Sequence, residues 1–142
     1  MNTIALTKDL EKNITLISSN APANSNFKTR ELILKGDIKC MILYISGLSK
    51  KEDIEDRIIY PLLFKIDCNI NTIPSPITFI SQRYIAISDT QISSEVNSIS
   101  KGLKTGKTII LIENQGNAII CNTSGSNFKK NANSKIEETI RG

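Results

Sequence analysis

The sequence has no histidine and no tryptophan, only three cysteines, and aromatic residues at just 5%. Without imidazole, histidine-based acid/base catalysis and histidine activation of a nucleophile are excluded. Cys40, Cys68 and Cys121 are an odd set, far apart and without a Cys-x-x-Cys pair. This speaks against a disulfide framework or a zinc site and fits a reducing compartment, each cysteine reading as a small buried hydrophobe. Long apolar runs are also missing. The longest, residues 40–45, falls far short of the roughly 20 residues that span a bilayer. The polar start Met1-Asn2-Thr3, followed by Lys8 and Asp9, lacks a signal-peptide core. The fragment is therefore expected to be soluble by itself.

What is there suits one aliphatic core: 142 residues, 39% hydrophobic and 23% charged, the size of a single domain. The net charge is +4, with a pI near 9.0. The lysines are scattered, with no basic run interleaved with aromatics, so the charge reads as a solvated surface and not as a nucleic-acid footprint.

Periodicity divides the chain in three. Residues 1–28 form an N-terminal helical arm, with Leu6, Leu10, Ile14 and Ile17 at helical spacing. Residues 29–122 form a mixed α/β domain, and residues 123–142 a polar linker leading into the next segment of a longer parent protein. Within the domain, strands at 29–34 and 40–46 flank the turn Lys35-Gly36-Asp37. Ser49 and Glu52 make a capping box, and Ile54, Ile58 and Leu62 line one helix face until Pro61, which should kink or end the helix near Tyr60. Ser75-Pro76 opens a short helix, and residues 84–87 read as a brief strand. A helix capped by Asp89 or Thr90 carries the stripe Ile92, Val96, Ile99 and Leu103. A strand at 108–112, a turn at 114–117 and a strand at 118–121 follow. The predicted class is α/β: a mixed sheet with an opening hairpin, helix-strand-helix crossovers and a closing hairpin.

Three local features suggest chemistry, and each has a structural explanation. Gly102, Gly106, Lys107 and Thr108 resemble a phosphate loop, but only three residues separate the glycines. The segment also closes a helix and enters a strand, the reverse of what presents N–H groups to phosphates, so no ATP site is expected. Ser46-Gly47-Leu48-Ser49-Lys50 offers hydroxyls and a lysine at a helix start, which capping explains, with an anion contact as the alternative. Glu52, Asp53, Glu55 and Asp56 decorate a first helical turn and its exposed face. No metal and no cofactor are expected.

The segments together resemble the N-terminal soluble domain of the A subunit of bacterial spore germinant receptors, the GerA family. Leu10 to Asn13 followed by Asn26, Phe27 and Arg30 is similar to the family's opening, with Asn26 where an aspartate is usual. Met41-Ile42-Leu43-Tyr44-Ile45-Ser46-Gly47-Leu48, followed by Ile59-Tyr60-Pro61-Leu62-Leu63, is similar to its strand, glycine and Pro-Leu helix end. Residues 99–106 and 108–112 resemble its helix, glycine and apolar strand. The tail Glu137-Glu138-Thr139-Ile140-Arg141-Gly142 resembles its Glu-x-x-Ile/Val-Arg-Gly. The approach to that tail departs from the pattern: Asn133 and Ser134 stand where an acidic residue and proline are usual, and Lys129 or Lys130 where an arginine is. The resemblance implies a parent receptor in the spore inner membrane, held there by a downstream membrane part and acting with B and C subunits in nutrient-triggered germination. Abundant Ile, Asn and Lys suit a clostridial genome.

The reading is a non-catalytic module that senses a ligand, supports receptor assembly or self-association, or does both. The rival is a soluble α/β small-molecule-binding or enzymatic domain unrelated to germination. Right-handed crossovers predict parallel strands between residues 40 and 112, with their C-terminal ends on one edge. That edge would gather Ser46, Gly47, Ser88, Asp89, Glu113 and Asn114 as a site for a small nutrient.

Overall fold

A computed structural model describes residues 3–125. Five strands form one sheet in the order β1-β2-β4-β5-β3, and every ladder in it is antiparallel. The mixed α/β class and both hairpins are as expected. The parallel crossovers are not: β2 pairs directly with β4, with Leu43 opposite Ile109 and Cys40 opposite Ile112. An antiparallel neighbour satisfies each ladder without a right-handed crossover, so the direction rule for parallel units does not apply.

The opening hairpin is β1 (Phe27–Leu34) and β2 (Ile38–Ile45). Between them Gly36 (φ 91°) and Asp37 (φ 60°) both take the left-handed conformation that such a tight turn requires. Because side chains alternate along strands, Leu32, Leu34, Cys40 and Ile42 join Ile110 and Ile119 in a core on one face. Leu43, Ile45, Ile109 and Leu111 join a second core on the other. The central strands β4 (Thr108–Ile112) and β5 (Ala118–Cys121) are buried at every position, which explains their unbroken apolar sequences.

Helix α1 (Leu10–Ser18) covers the second face, burying Leu10 and Ile17. Asp9 accepts the Lys12 amide at 3.2 Å, a side-chain N-cap. Buried Asn13 reaches back to the segment before the helix, its Oδ1 accepting the Thr7 amide at 2.8 Å and its Nδ2 donating to the Thr7 carbonyl at 2.7 Å.

On the first face, α2 runs as an α-helical turn Lys51–Ile54, a π-helical turn Glu55–Ile59 and a final turn Tyr60–Phe64. Of the two outcomes expected at Pro61, a kink or an end near Tyr60, the helix does not end: it passes through the proline by way of the π turn. Widening to a π turn, with the Tyr60 amide donating to Glu55, accommodates the ring. Helix α3 (Pro76–Arg83) begins with proline in its first turn, as expected.

Two sequence expectations are corrected. Residues 84–87 are not a strand. The edge strand is β3 (Thr90–Ser93), placing Ile92 opposite Ile119. Ile92 is therefore not part of the helical stripe, and is 41% exposed. Helix α4 (Val96–Lys104) starts at Val96. Neither Asp89 nor Thr90 caps it. Backbone from the chain's beginning serves its start: Val96 donates to the Ile4 carbonyl at 2.9 Å, and Leu6 donates to Ser94 at 2.8 Å.

Candidate functional site

The antiparallel sheet divides the six expected site residues between two ends. Ser46 and Gly47 follow β2, while Ser88 and Asp89 precede β3, so these four lie at one end with β4 and β5 between the pairs. Glu113 and Asn114 follow β4 and lie at the opposite end, beside the start of β2. No single edge gathers all six.

At the first end, the polar groups mainly bond one another. Ser49 does not cap α2, whose cap position is Lys50 without a side-chain cap bond. Its hydroxyl donates to the Gly106 carbonyl at 2.7 Å. Thr123 donates to the same carbonyl at 3.0 Å, and its hydroxyl lies 2.6 Å from that of Thr108. The Lys50 amide donates to the Thr123 carbonyl at 2.7 Å, and the Gly125 amide to Leu48 at 2.9 Å. Residues 48–50, 106 and 123–125 therefore form one knot. Asp89 accepts the Asn122 side chain at 3.0 Å, and its carbonyl accepts the Asn122 amide at 3.0 Å.

At the opposite end, Glu113 and Asn114 line an open cleft of about 380 Å³ together with Lys8, Asp9, Glu11 and Lys39. The Glu113 carboxylate accepts the Lys39 amide at 2.9 Å, and the Glu113 amide donates to the Lys39 carbonyl at 3.0 Å. Asn114 holds a left-handed turn at φ 66°. The cleft presents lysine ammonium groups and carboxylates together, the complement of a small ligand bearing both charges. Lys8, Asp9, Glu11 and Lys39 were not legible as site residues. Their signal is a charged cluster at the entry to α1, and only tertiary packing sets it against the β4–β5 turn.

Cys40 and Cys121 are buried. Burial raises the Cys40 thiol and pushes that of Cys121 up to about 12. Both thiols are thus held protonated and act as core hydrophobes, whereas Cys68 is half-buried. Gly102 and Gly106 close α4 and lead into β4, the orientation read from the sequence. Two of the four carboxylates on α2 pair within the helix, Asp53 with Arg57 at 3.4 Å and Glu55 with Lys51 at 4.0 Å.

The architecture defines a class: an antiparallel five-stranded sheet with helices on both faces and polar clefts at its margins. A profile of the Bacillus/Clostridium GerA spore germination protein family matches residues 15–142, and the chain belongs to this family. The fold is shared with the crystal structure of the N-terminal domain of the A subunit of the Bacillus megaterium spore germinant receptor GerK3. The two have a TM-score of 0.71 at 18% identity, over 89% of this chain and 51% of that one. The chain thus spans about half the length of the structure it matches. No curated protein matches the sequence.

Proposed function

We propose that this chain is the non-catalytic N-terminal module of a spore germinant receptor A subunit, acting in nutrient-triggered germination. The observation that carries the reading is the family match over residues 15–142. The fold shared with the GerK3 A-subunit domain supports it. On this reading the parent receptor resides in the spore inner membrane with B and C subunits, and the module senses a ligand, supports assembly, or does both. Among the described residues, no helix is long and apolar enough to cross a membrane, so a membrane anchor would lie elsewhere in the parent.

For ligand sensing, the cleft at Glu113 and Asn114 is the better of the two sheet ends. Its mixed charges face an open volume, whereas much of the polar surface at the other end is consumed by internal bonds. The reading is tested by following backbone amide shifts as small zwitterionic and polyhydroxy nutrients are added. Saturating shifts at Asn114 and Lys8, lost in Glu113→Gln, support sensing here. Silence at millimolar ligand, with germination lost on deleting the module from the receptor, leaves assembly as its role. Normal germination without the module overturns the proposal.

A further inference from the structure

A second cleft lies at the opposite end of β2, five residues and about 17 Å along the strand from Lys39. Residues 28, 30, 32 and 34 of β1 share one sheet face by strand alternation. Leu32 and Leu34 are buried there, but the pattern gives way to Arg30 and Lys28 where α2 crosses. The register sets Lys28 opposite Tyr44 and Arg30 opposite Ile42, making Arg30 and Tyr44 diagonal neighbours on one face. Arg30, Tyr44, Lys51, Ile54, Glu55 and Ile59 line a half-open pocket of about 80 Å³.

Its chemistry is one-sided. Arg30, Lys51 and Tyr44 share the lining with a single carboxylate, Glu55, which sits 4.0 Å from Lys51, both side chains being exposed. The backbones of Arg30 and Tyr44 belong to the β1–β2 ladder, but neither side chain has a hydrogen-bond or ion-pair partner among the described residues. A planar guanidinium fork matches a carboxylate in two-point contact. Ile54 is buried and Ile59 partly buried, providing an apolar wall for a short alkyl group. The volume equals that of roughly two to three waters, enough for a carboxylate with one or two carbons and too small for a nucleotide. The wall favours an organic acid over inorganic phosphate.

We propose that Arg30, Tyr44 and Lys51 form a carboxylate-binding site at the β1 edge of the sheet, distinct from the Glu113 cleft. Its occupant is either a free short-chain acid or the side chain of an aspartate or glutamate from a polypeptide lying along β1, the outermost strand.

Titration of the isotopically labelled protein with propionate, acetate and inorganic phosphate at constant ionic strength tests this, reading the Arg30 side-chain N–H and the Tyr44 amide. Saturating shifts should be strongest for propionate and weakest for phosphate. Arg30→Gln should weaken binding roughly tenfold or more, and Arg30→Lys, which keeps the charge but loses the fork, by less. Arg30 is exposed, so both variants should keep the wild-type amide spectrum elsewhere. A blocked glutamate peptide in a parallel titration separates the sources: tighter binding than propionate identifies a polypeptide carboxylate, equal or weaker binding a free acid. Equal responses of wild type and Arg30→Gln, or no saturation with any acid or the peptide, overturn the site. Shifts confined to Asn114 and Lys8 would overturn it too while leaving the Glu113 cleft standing.

Discussion

The carbonyl of Arg57 accepts the amide of Ala86 at 3.2 Å, a bond made available because Pro61, four residues on, has no N–H to offer it. The proline that widens α2 into a π turn thereby fastens the connection between α3 and β3. Pro61→Ala should give the helix an intrahelical donor competing for Arg57. The expected result is roughly fivefold faster hydrogen exchange at Ala86, as a bond of about 1 kcal/mol is weakened, with slower exchange inside α2. Unchanged exchange at Ala86 would show that the connection is held by packing alone.

Gly106 and Gly47 both have positive φ, 93° and 95°, but different surroundings. A Cβ at Gly106 would lie 2.6 Å from the Leu48 carbonyl oxygen, while at Gly47 it meets nothing within 4 Å. Gly47→Ala should therefore cost only the left-handed penalty of about 1 kcal/mol. Gly106→Ala adds a backbone clash inside the knot and should cost about 2–4 kcal/mol. Thermal melts should separate them, with drops of roughly 3 °C and 10 °C. Equal drops would mean that the loops at 48 and 124 yield freely.

Val96 is 1% exposed and Ile92 is on the edge strand, so the two residues that the sequence sets on one stripe should respond differently to charge. Val96→Asp leaves an unpaired buried carboxylate and should cost about 3–5 kcal/mol. Ile92→Asp should stay within about 1 kcal/mol. Denaturant midpoints measure both, and similar losses would return Ile92 to the core.

The buried cysteines make stability sensitive to alkali. Burial pushes the Cys121 thiol from its ordinary value of 9.0 up to about 12, and Cys40 shifts in the same direction. Above the unfolded value the unfolded chain sheds protons that the folded chain keeps, so the linked stability is intact below about pH 9 and is lost as pH rises toward about 12. Urea midpoints should fall across that window, and Cys121→Ala should make the fall shallower. With a thiol reagent at neutral pH, Cys68 should react in the folded protein, while Cys40 and Cys121 wait for unfolding. A flat alkaline profile would contradict the burial of these thiols.

Local chemistry was legible wherever the chain carries its own instructions. Gly36 and Asp37 make the opening turn, the all-apolar residues 109–112 make a central strand, Ser75-Pro76 starts α3, and Gly106, just past α4, closes that helix, all through interactions within a few residues. The features misread from sequence have remote partners. Ser49 fits a capping box, but its hydroxyl goes to Gly106, 57 residues away. Ile92 fits a helical period, but ladder bonds to β5 make it a strand. The Val96 amide at the start of α4 is met by the Ile4 carbonyl, which no pattern in residues 89–103 records.

The candidate site followed the same division. The sequence determined which small and polar residues end each strand, Glu113 and Asn114 among them, because turns and strand ends are chosen by local backbone preference. Only the tertiary structure decided strand direction, since parallel and antiparallel ladders bury the same apolar faces and differ in which backbone groups meet. That direction sends Ser46 and Glu113 to opposite ends of the sheet, sets Glu113 beside the charged entry to α1, and leaves Arg30 and Tyr44 lining a pocket beneath α2.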